Sequence, residues 1–109
     1  MSLFDDFMTR GARLRGVTVR QSKFRGHTLA LWLGNVEVGH CHKEHADIRL
    51  TRAVVRDLGD ELRGDARIDL RRSGSDWILV RLRHAADVDR ALELLRHAIR
   101  ATRPTIRSC

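Results

Sequence analysis

The spacing of apolar residues changes along the chain, and each change predicts a different kind of element. At the start, apolar residues recur every three to four positions behind the capping residue Ser2, which predicts a helix ending by Gly11 or Gly16. From Val17 onwards apolar and polar residues alternate, and the apolar segment 28–33 predicts a central strand. The first part of the chain therefore indicates one helix followed by strands.

A two-residue turn signal, Gly34-Asn35, separates that strand from a second apolar segment at 36–42 and predicts a tight hairpin. A short extended segment through Ile48 and Leu50 follows. The remaining predicted elements are a helix from Thr51 to Gly64, strands at 66–70 and 77–83, and an amphipathic helix that opens at Asp87 and Asp89 and ends at Arg103-Pro104.

This order is helix, three strands, helix, two strands, helix. It predicts an α+β fold in which an antiparallel sheet of about five strands packs against two or three helices. A chain of 109 residues has room for one core, so we expect a single domain at residues 1–103. Residues 104–109 follow the last helix, and we expect them to form a disordered C-terminal tail.

The composition narrows the class of protein without identifying it. Charged residues make up 32% of the chain and apolar residues 42%, which is ordinary for a folded domain. No apolar run reaches the ~18 residues of a membrane span, and the acidic start is unlike a signal peptide, so we expect a cytoplasmic protein that does not contact a membrane. The net charge of +7 is spread over the chain and comes mainly from arginine. It indicates either a nucleic-acid partner or the codon usage of a GC-rich genome.

Polar residues concentrate at the end of the second hairpin strand. His40 and His42 are two positions apart, so both imidazoles point to one side of a strand. This spacing suits two ligands of one metal ion, with His45, Asp47 or His27 as the third. Alternatively, the histidines bind backbone groups around a turn. The pattern predicts a metal or small-molecule site and leaves the metal open.

The roles of Cys41, Asp47 and the tryptophan residues are less clearly indicated by the sequence. Cys41 lies between two histidines, where an imidazolium would activate its thiol, although strand alternation favours a buried structural cysteine. Asp47 is either a general base, a carboxylate that orients a histidine, or a turn residue. Trp32 and Trp77 either line a pocket or fill the core, and the low aromatic content favours the core.

Several of these residues occur in an order that resembles the luciferase-domain family. The resemblance covers about residues 14–101 and rests on Gly39-His40-Cys41-His42, Asp47-Ile48, Trp77-Ile78-Leu79-Val80-Arg81-Leu82, Asp87-Val88 and Ala91-Leu92. It implies that His40, His42 and Asp47 are catalytic residues. It also implies that Trp77 contacts a bound ligand or cofactor.

The fungal member of this family oxidises a hydroxypyrone luciferin with molecular oxygen. The resemblance therefore implies a small-molecule site with oxygenase-like activity, in which the imidazoles act as a general base and stabilise an oxyanion, and it names no cofactor. Two segments depart from the family pattern, which has a glycine and a His-Pro-containing stretch where this chain has Lys43-Glu44-His45 and Ile68-Asp69-Leu70.

The alternative interpretation is a basic nucleic-acid-binding module. The order of elements also resembles the YjbR type of small α+β domain, which has been associated with DNA binding. In this interpretation, phosphates are bound by arginines on the exposed strand face and the last helix, namely Arg71, Arg72, Arg81, Arg83, Arg96, Arg100 and Arg103. A protein-interaction domain without chemistry is the third alternative.

Overall fold

Four α-helices and six strands occur in the computed structural model, which describes residues 2–24, 28–42, 44–71 and 74–105. The helices of this part of the chain are α1 (Leu3–Ala12), α2 (Arg52–Asp57), α3 (Gly59–Arg63) and α4 (Ala85–Thr102). The strands are β1 (Val17–Gln21), β2 (Leu29–Leu33), β3 (Val36–His42), β4 (His45–Arg49), β5 (Ile68–Leu70) and β6 (Trp77–Arg81).

The strands form one antiparallel sheet in the order β1-β2-β3-β4-β6-β5. Leu33 pairs with Val36 across the turn at Gly34, whose φ of 60° favours glycine, so the predicted hairpin is confirmed. The last two strands lie in the reverse of their chain order, because β4 pairs with β6. The three-residue strand β5 therefore lies at the edge of the sheet.

The predicted α+β class and the antiparallel sheet are confirmed, but the described chain has six strands where about five were expected. The additional strand is β4, because Ala46 and Ile48 fill the core and the strand pairs on both sides. The helix predicted over 51–64 is interrupted at Leu58 and forms α2 and α3. A 3₁₀ helix covers Arg103–Thr105 and so includes the first two residues of the predicted tail, and residues 106–109 lie outside the described residues.

Capping groups fix where the two long helices begin. The Ser2 hydroxyl accepts a hydrogen bond from the backbone N–H of Asp5 at 3.0 Å, as expected of an N-cap. The carboxylate of Asp87 accepts bonds from the backbone N–H groups of Arg83 and His84, so α4 begins at Ala85, before its predicted start. Among the described residues, no helix has both the length and the apolar character needed to cross a membrane.

The helices α1 and α4 cover one face of the sheet. Their buried side chains share a core with strand residues such as Leu31 and Ile48. The contact is close at Gly11, where an added Cβ would lie 2.6 Å from a methyl carbon of Leu31 and 3.2 Å from one of Leu95. We call the opposite side of the sheet the open face, and it carries the polar residues discussed below.

We expect Leu95→Ala to destabilise the domain by about 3 kcal/mol, because Leu95 is fully buried between α4 and the sheet and its removal leaves a cavity. Leu29→Ala is the matched control, since Leu29 is 59% exposed, and we expect a change within about 0.5 kcal/mol. Urea denaturation followed by circular dichroism measures both. Equal losses in the two variants would contradict the assignment of the core.

Candidate functional site

A β-bulge in β3 assembles the polar site. The register between β2 and β3 shifts between Leu31 and Trp32, because Val38 is an extra residue in β3. In a regular strand, residues three positions apart point to opposite faces. The extra residue instead brings Glu37 and His40 to the same face of the sheet, which is the open face.

His40 lies between two buried carboxylates. Its Nδ1 is 2.7 Å from Oε2 of Glu37, and its Nε2 is 3.0 Å from Oδ2 of Asp47. The side chains of Glu37, Asp47 and His40 are 0%, 9% and 11% exposed. Since a carboxylate accepts hydrogen bonds, this arrangement fits an imidazolium that donates one N–H to each neighbour. We call these three residues the Glu-His-Asp cluster.

The cluster raises the pKa of His40 above its ordinary value of 6.5. Burial alone would lower this pKa, since it disfavours the charged imidazolium. The hydrogen bond and charge of Asp47, followed by those of Glu37, outweigh burial. His40 therefore holds its proton more firmly than a free histidine does.

The end of β1 completes the hydrogen bonding of Glu37. The hydroxyl oxygen of Ser22 lies 3.0 and 2.9 Å from the two carboxylate oxygens, and the backbone N–H of Lys23 donates at 2.8 Å. The same hydroxyl accepts a bond from the backbone N–H of Phe24 at 3.0 Å. A buried carboxylate is tolerated only with such partners, so this network ties the end of β1 to β3.

A cavity of about 330 Å³ opens beside the cluster and is lined by both His40 and Asp47. While Oδ2 of Asp47 faces His40, its Oδ1 is buried and has no hydrogen-bond partner within the described structure. Buried polar atoms are nearly always paired, so an unpaired carboxylate oxygen beside a cavity calls for an explanation. A ligand that donates a hydrogen bond would supply the missing partner.

Two aromatic side chains form the apolar wall of this cavity. The rings of Phe24 and Trp77 meet edge to face, with centroids 5.4 Å apart and an interplanar angle of 87°. The His40 ring lies 5.8 Å from Phe24 and 5.4 Å from Trp77. Ser75 fixes the start of β6, because its hydroxyl accepts the backbone N–H of Trp77 at 3.1 Å. Flat walls of this kind suit a planar ligand.

The structure brings together three of the four predicted site residues, since His40 contacts both Asp47 and Trp77. His42 lines the same cavity, but it is exposed and lies outside the Glu-His-Asp cluster. Nδ1 of His45 lies 3.1 Å from the carbonyl oxygen of His42 and binds the backbone. His27 lies outside the described residues.

The prediction that Trp32 and Trp77 fill the core is wrong. Trp77 is half-buried in the cavity wall, and Trp32 is half-buried beneath the guanidinium of Arg20, 4.4 Å from its ring centroid. Both belong to strand positions on the open face, opposite the face that α1 and α4 cover. The core beneath the helices is instead filled by Phe7 and aliphatic side chains.

The activated-thiol interpretation of Cys41 is also wrong. Cys41 packs against the core beneath the helices. Burial raises the pKa of its thiol from 9.0 to about 12, and the negative charge of Asp47 adds to this effect. The thiol is therefore protonated at neutral pH, and the thiolate is the nucleophilic form of cysteine.

The metal hypothesis required His40 as a ligand. Both ring nitrogens of His40 are engaged by carboxylates, so neither offers a free lone pair in this arrangement. Across residues 2–24, 28–42, 44–71 and 74–105, no three His, Cys, Asp or Glu side chains are placed to hold one metal ion. In this geometry, His40 is a hydrogen-bonding partner of Glu37 and Asp47.

Sequence reasoning missed Glu37, Ser22 and Phe24. Regular alternation places Glu37 on the face opposite His40, and only the bulge reverses this. One signal was present, because a glutamate between two valines in a central strand must be paired when it is buried. Ser22 and Phe24 follow an edge strand, and their contacts with β3 and β6 arise from tertiary packing.

The arginines proposed to bind nucleic acid fall in separate places. Arg71 lines the cavity on the open face, Arg81 donates to the carbonyl of Ala66, and Arg72 lies outside the described residues. A shallow groove at the ends of α1 and α4 is lined by Leu14, Arg15, Arg96, Ile99, Arg100 and Arg103. We call it the basic groove.

The fold and the cavity together define a two-layer α+β domain with a polar site on its open sheet face. The family model described as Luciferase domain matches residues 35–98, more than half of the chain. The chain therefore belongs to the luciferase-domain family. No curated protein and no solved structure matches it. The matched range contains Glu37, His40, Asp47 and Trp77, whereas Phe24 precedes it.

The cluster predicts a pH dependence of stability. Because folding raises the pKa of His40, its stabilising effect is complete below pH ~6.5 and is lost as pH rises through the folded-state pKa. We expect the free energy of unfolding of the wild type to fall across this window. His40→Gln should lose that part of the dependence, as measured by urea denaturation between pH 5 and 9. An identical pH profile in the variant would refute the role of His40.

Proposed function

We propose that the open-face cavity binds a small planar molecule that donates a hydrogen bond to Asp47. The observation that carries this proposal is the buried, unpartnered Oδ1 of Asp47 beside a cavity of about 330 Å³. This volume lies at the lower end of the range typical of small-molecule sites. The rings of Phe24 and Trp77 would contact the faces or edges of the ligand.

In this proposal, Asp47 is the group that takes a proton from the ligand. His40 is engaged at both nitrogens, so it acts as a positioning residue that holds Asp47 in place. A ligand O–H or N–H that meets Oδ1 would transfer its proton to the carboxylate and leave an anion on the ligand. The neighbouring imidazolium charge favours that anion.

Oxygenase-like activity follows from the same step. A planar enol or hydroxypyrone that has lost its proton is electron-rich and can pass electrons directly to molecular oxygen. A carbon–oxygen bond then forms, oxygen is reduced to the level of a peroxide, and the ligand carbon is oxidised. The proton held on Asp47 returns to the peroxide. Membership of the luciferase-domain family supports a reaction of this class.

The binding step is tested with two probes that differ by one donor, methyl 4-hydroxybenzoate and methyl 4-methoxybenzoate. We expect the phenol to bind about tenfold more tightly, because a hydrogen bond to a charged group contributes ~1.5–3 kcal/mol. Asp47→Asn should remove most of this difference. Titration followed by the indole NMR signals of Trp77 and Trp32 gives the affinities, with Trp77 shifting because it lines the cavity.

Asp69→Asn is the matched control, because Asp69 is exposed on β5 and lies on the same sheet face, opposite Leu79. It should bind the phenol as the wild type does. Absence of binding by both probes, or equal weakening in both variants, would exclude Asp47 as the recognition group. Oxygen consumption with 4-hydroxy-6-methyl-2-pyrone, measured with an oxygen electrode, separates oxygenation from binding alone.

A second candidate function is nucleic-acid binding, and the basic groove favours it. Its four arginines surround an apolar floor of Leu14 and Ile99. Arg103 donates to the carbonyl of Arg15 at 3.0 Å, which holds the ends of α1 and α4 together. By contrast, Arg52 and Arg63, which do not line this groove, lie beside carboxylates.

We expect this second function to show affinity that falls about a hundredfold between 50 and 200 mM salt, as for a protein that makes roughly four phosphate contacts. Arg96→Gln with Arg100→Gln should weaken binding of a fluorescein-labelled duplex in an anisotropy titration. The control pair Arg52→Gln with Arg63→Gln removes the same charge from paired arginines and should have a smaller effect. No binding at 50 mM salt would eliminate this candidate.

A further inference from the structure

A second cavity adjoins the proposed ligand site. Its volume is about 440 Å³, and it shares Arg71, Ser75 and Trp77 with the first cavity. Trp77 is thus a wall of both spaces, and Arg71 stands where they meet. A ligand held against Trp77 in the first cavity would therefore lie beside Arg71.

The two cavities differ in charge. The first is lined by the carboxylate of Asp47 and by His40, and the buried carboxylate of Glu37 lies behind His40. The second is lined by four arginines and by no carboxylate among its described lining residues, the arginines being Arg52, Arg56, Arg63 and Arg71. One end of the combined space therefore favours hydrogen-bond donors, and the other favours anions.

Two of these arginines already have partners. Arg52 lies 3.9 Å from Asp76, and Arg63 hydrogen-bonds to Asp60 at 2.6 Å. Neither Arg56 nor Arg71 forms an ion pair with a carboxylate in the part of the chain that the structure describes. Arg71 is therefore the guanidinium that is both free of a carboxylate and adjacent to the ligand site.

We propose that Arg71 selects ligands that carry an anionic group, a carboxylate or a phosphate, at the end of the planar ring remote from the ligand group that donates to Asp47. This inference rests on the proposed function, because it assumes that the ring occupies the first cavity. Arg71 binds the anionic group as a planar two-pronged donor. The ligand class is thus a planar hydroxy acid, or the corresponding phosphate ester.

The experiment compares 4-hydroxybenzoate and 4-hydroxyphenyl phosphate with the neutral methyl 4-hydroxybenzoate. We expect at least one anion to bind the wild type about tenfold more tightly than the neutral ester, because a charge-assisted hydrogen bond is stronger than a neutral one. Arg71→Gln should remove this preference, because it should weaken the anions about tenfold more than the neutral ester. The two anions distinguish a carboxylate from a phosphate specificity.

Arg83→Gln is the matched control, since this substitution removes the same charge. Arg83 is exposed and lines neither cavity. It should keep the preference for the anion. The proposal is overturned if the neutral ester binds the wild type as tightly as both anions, or if Arg71→Gln weakens all three probes equally. If the ester binds in an Asp47-dependent way without any anion preference, the ligand site stands and only the role of Arg71 fails. If none of the probes shifts the Trp77 indole signal, both proposals fail.

Discussion

Two carboxylates share one imidazole inside this domain, and the polar half of the structure depends on that arrangement. Glu37 is fully buried and Asp47 nearly so, and neither charge would be tolerated there without a cation and hydrogen-bond donors. His40 supplies the cation, and Ser22 with the backbone of Lys23 supplies further donors to Glu37. The requirement to pair these charges fixes the end of β1, the bulge of β3 and the position of β4 relative to one another.

The two faces of the sheet differ, since one is packed against helices and the other carries the polar cluster and the cavity. The face beneath α1 and α4 is filled by aliphatic side chains and Phe7, which hold the layers together. The open face lies on the side of the sheet away from α1 and α4, so polar groups there can be placed around a cavity without disturbing the core. Because of the bulge at Val38, Glu37 lies on the open face, whereas regular alternation would place it on the opposite face. Fold and site are therefore specified by different residues of the same strands.

Much of the fold could be predicted from the sequence, because apolar spacing is a local signal. The hairpin at Gly34-Asn35 and helix α4 follow directly from it. Strand β4 was predicted only as a short extended segment through Ile48 and Leu50, because two apolar residues are a weak strand signal, and it was not counted in the sheet. His40, Asp47 and Trp77 were predicted as site residues, and the structure brings them together. Glu37 was not predicted, because a bulge leaves no mark in the alternation of residues. Phe24 was missed because its contacts depend on how distant strands meet.

The shared imidazole also constrains how this site can change over generations. Replacing His40 alone leaves two buried anions facing the same space, and replacing either carboxylate alone leaves an imidazolium with half of its counter-charge. Each single step costs more than the combined change to neutral residues. Substitutions at the three positions should therefore occur together, so that a relative without one of these residues should lack all three.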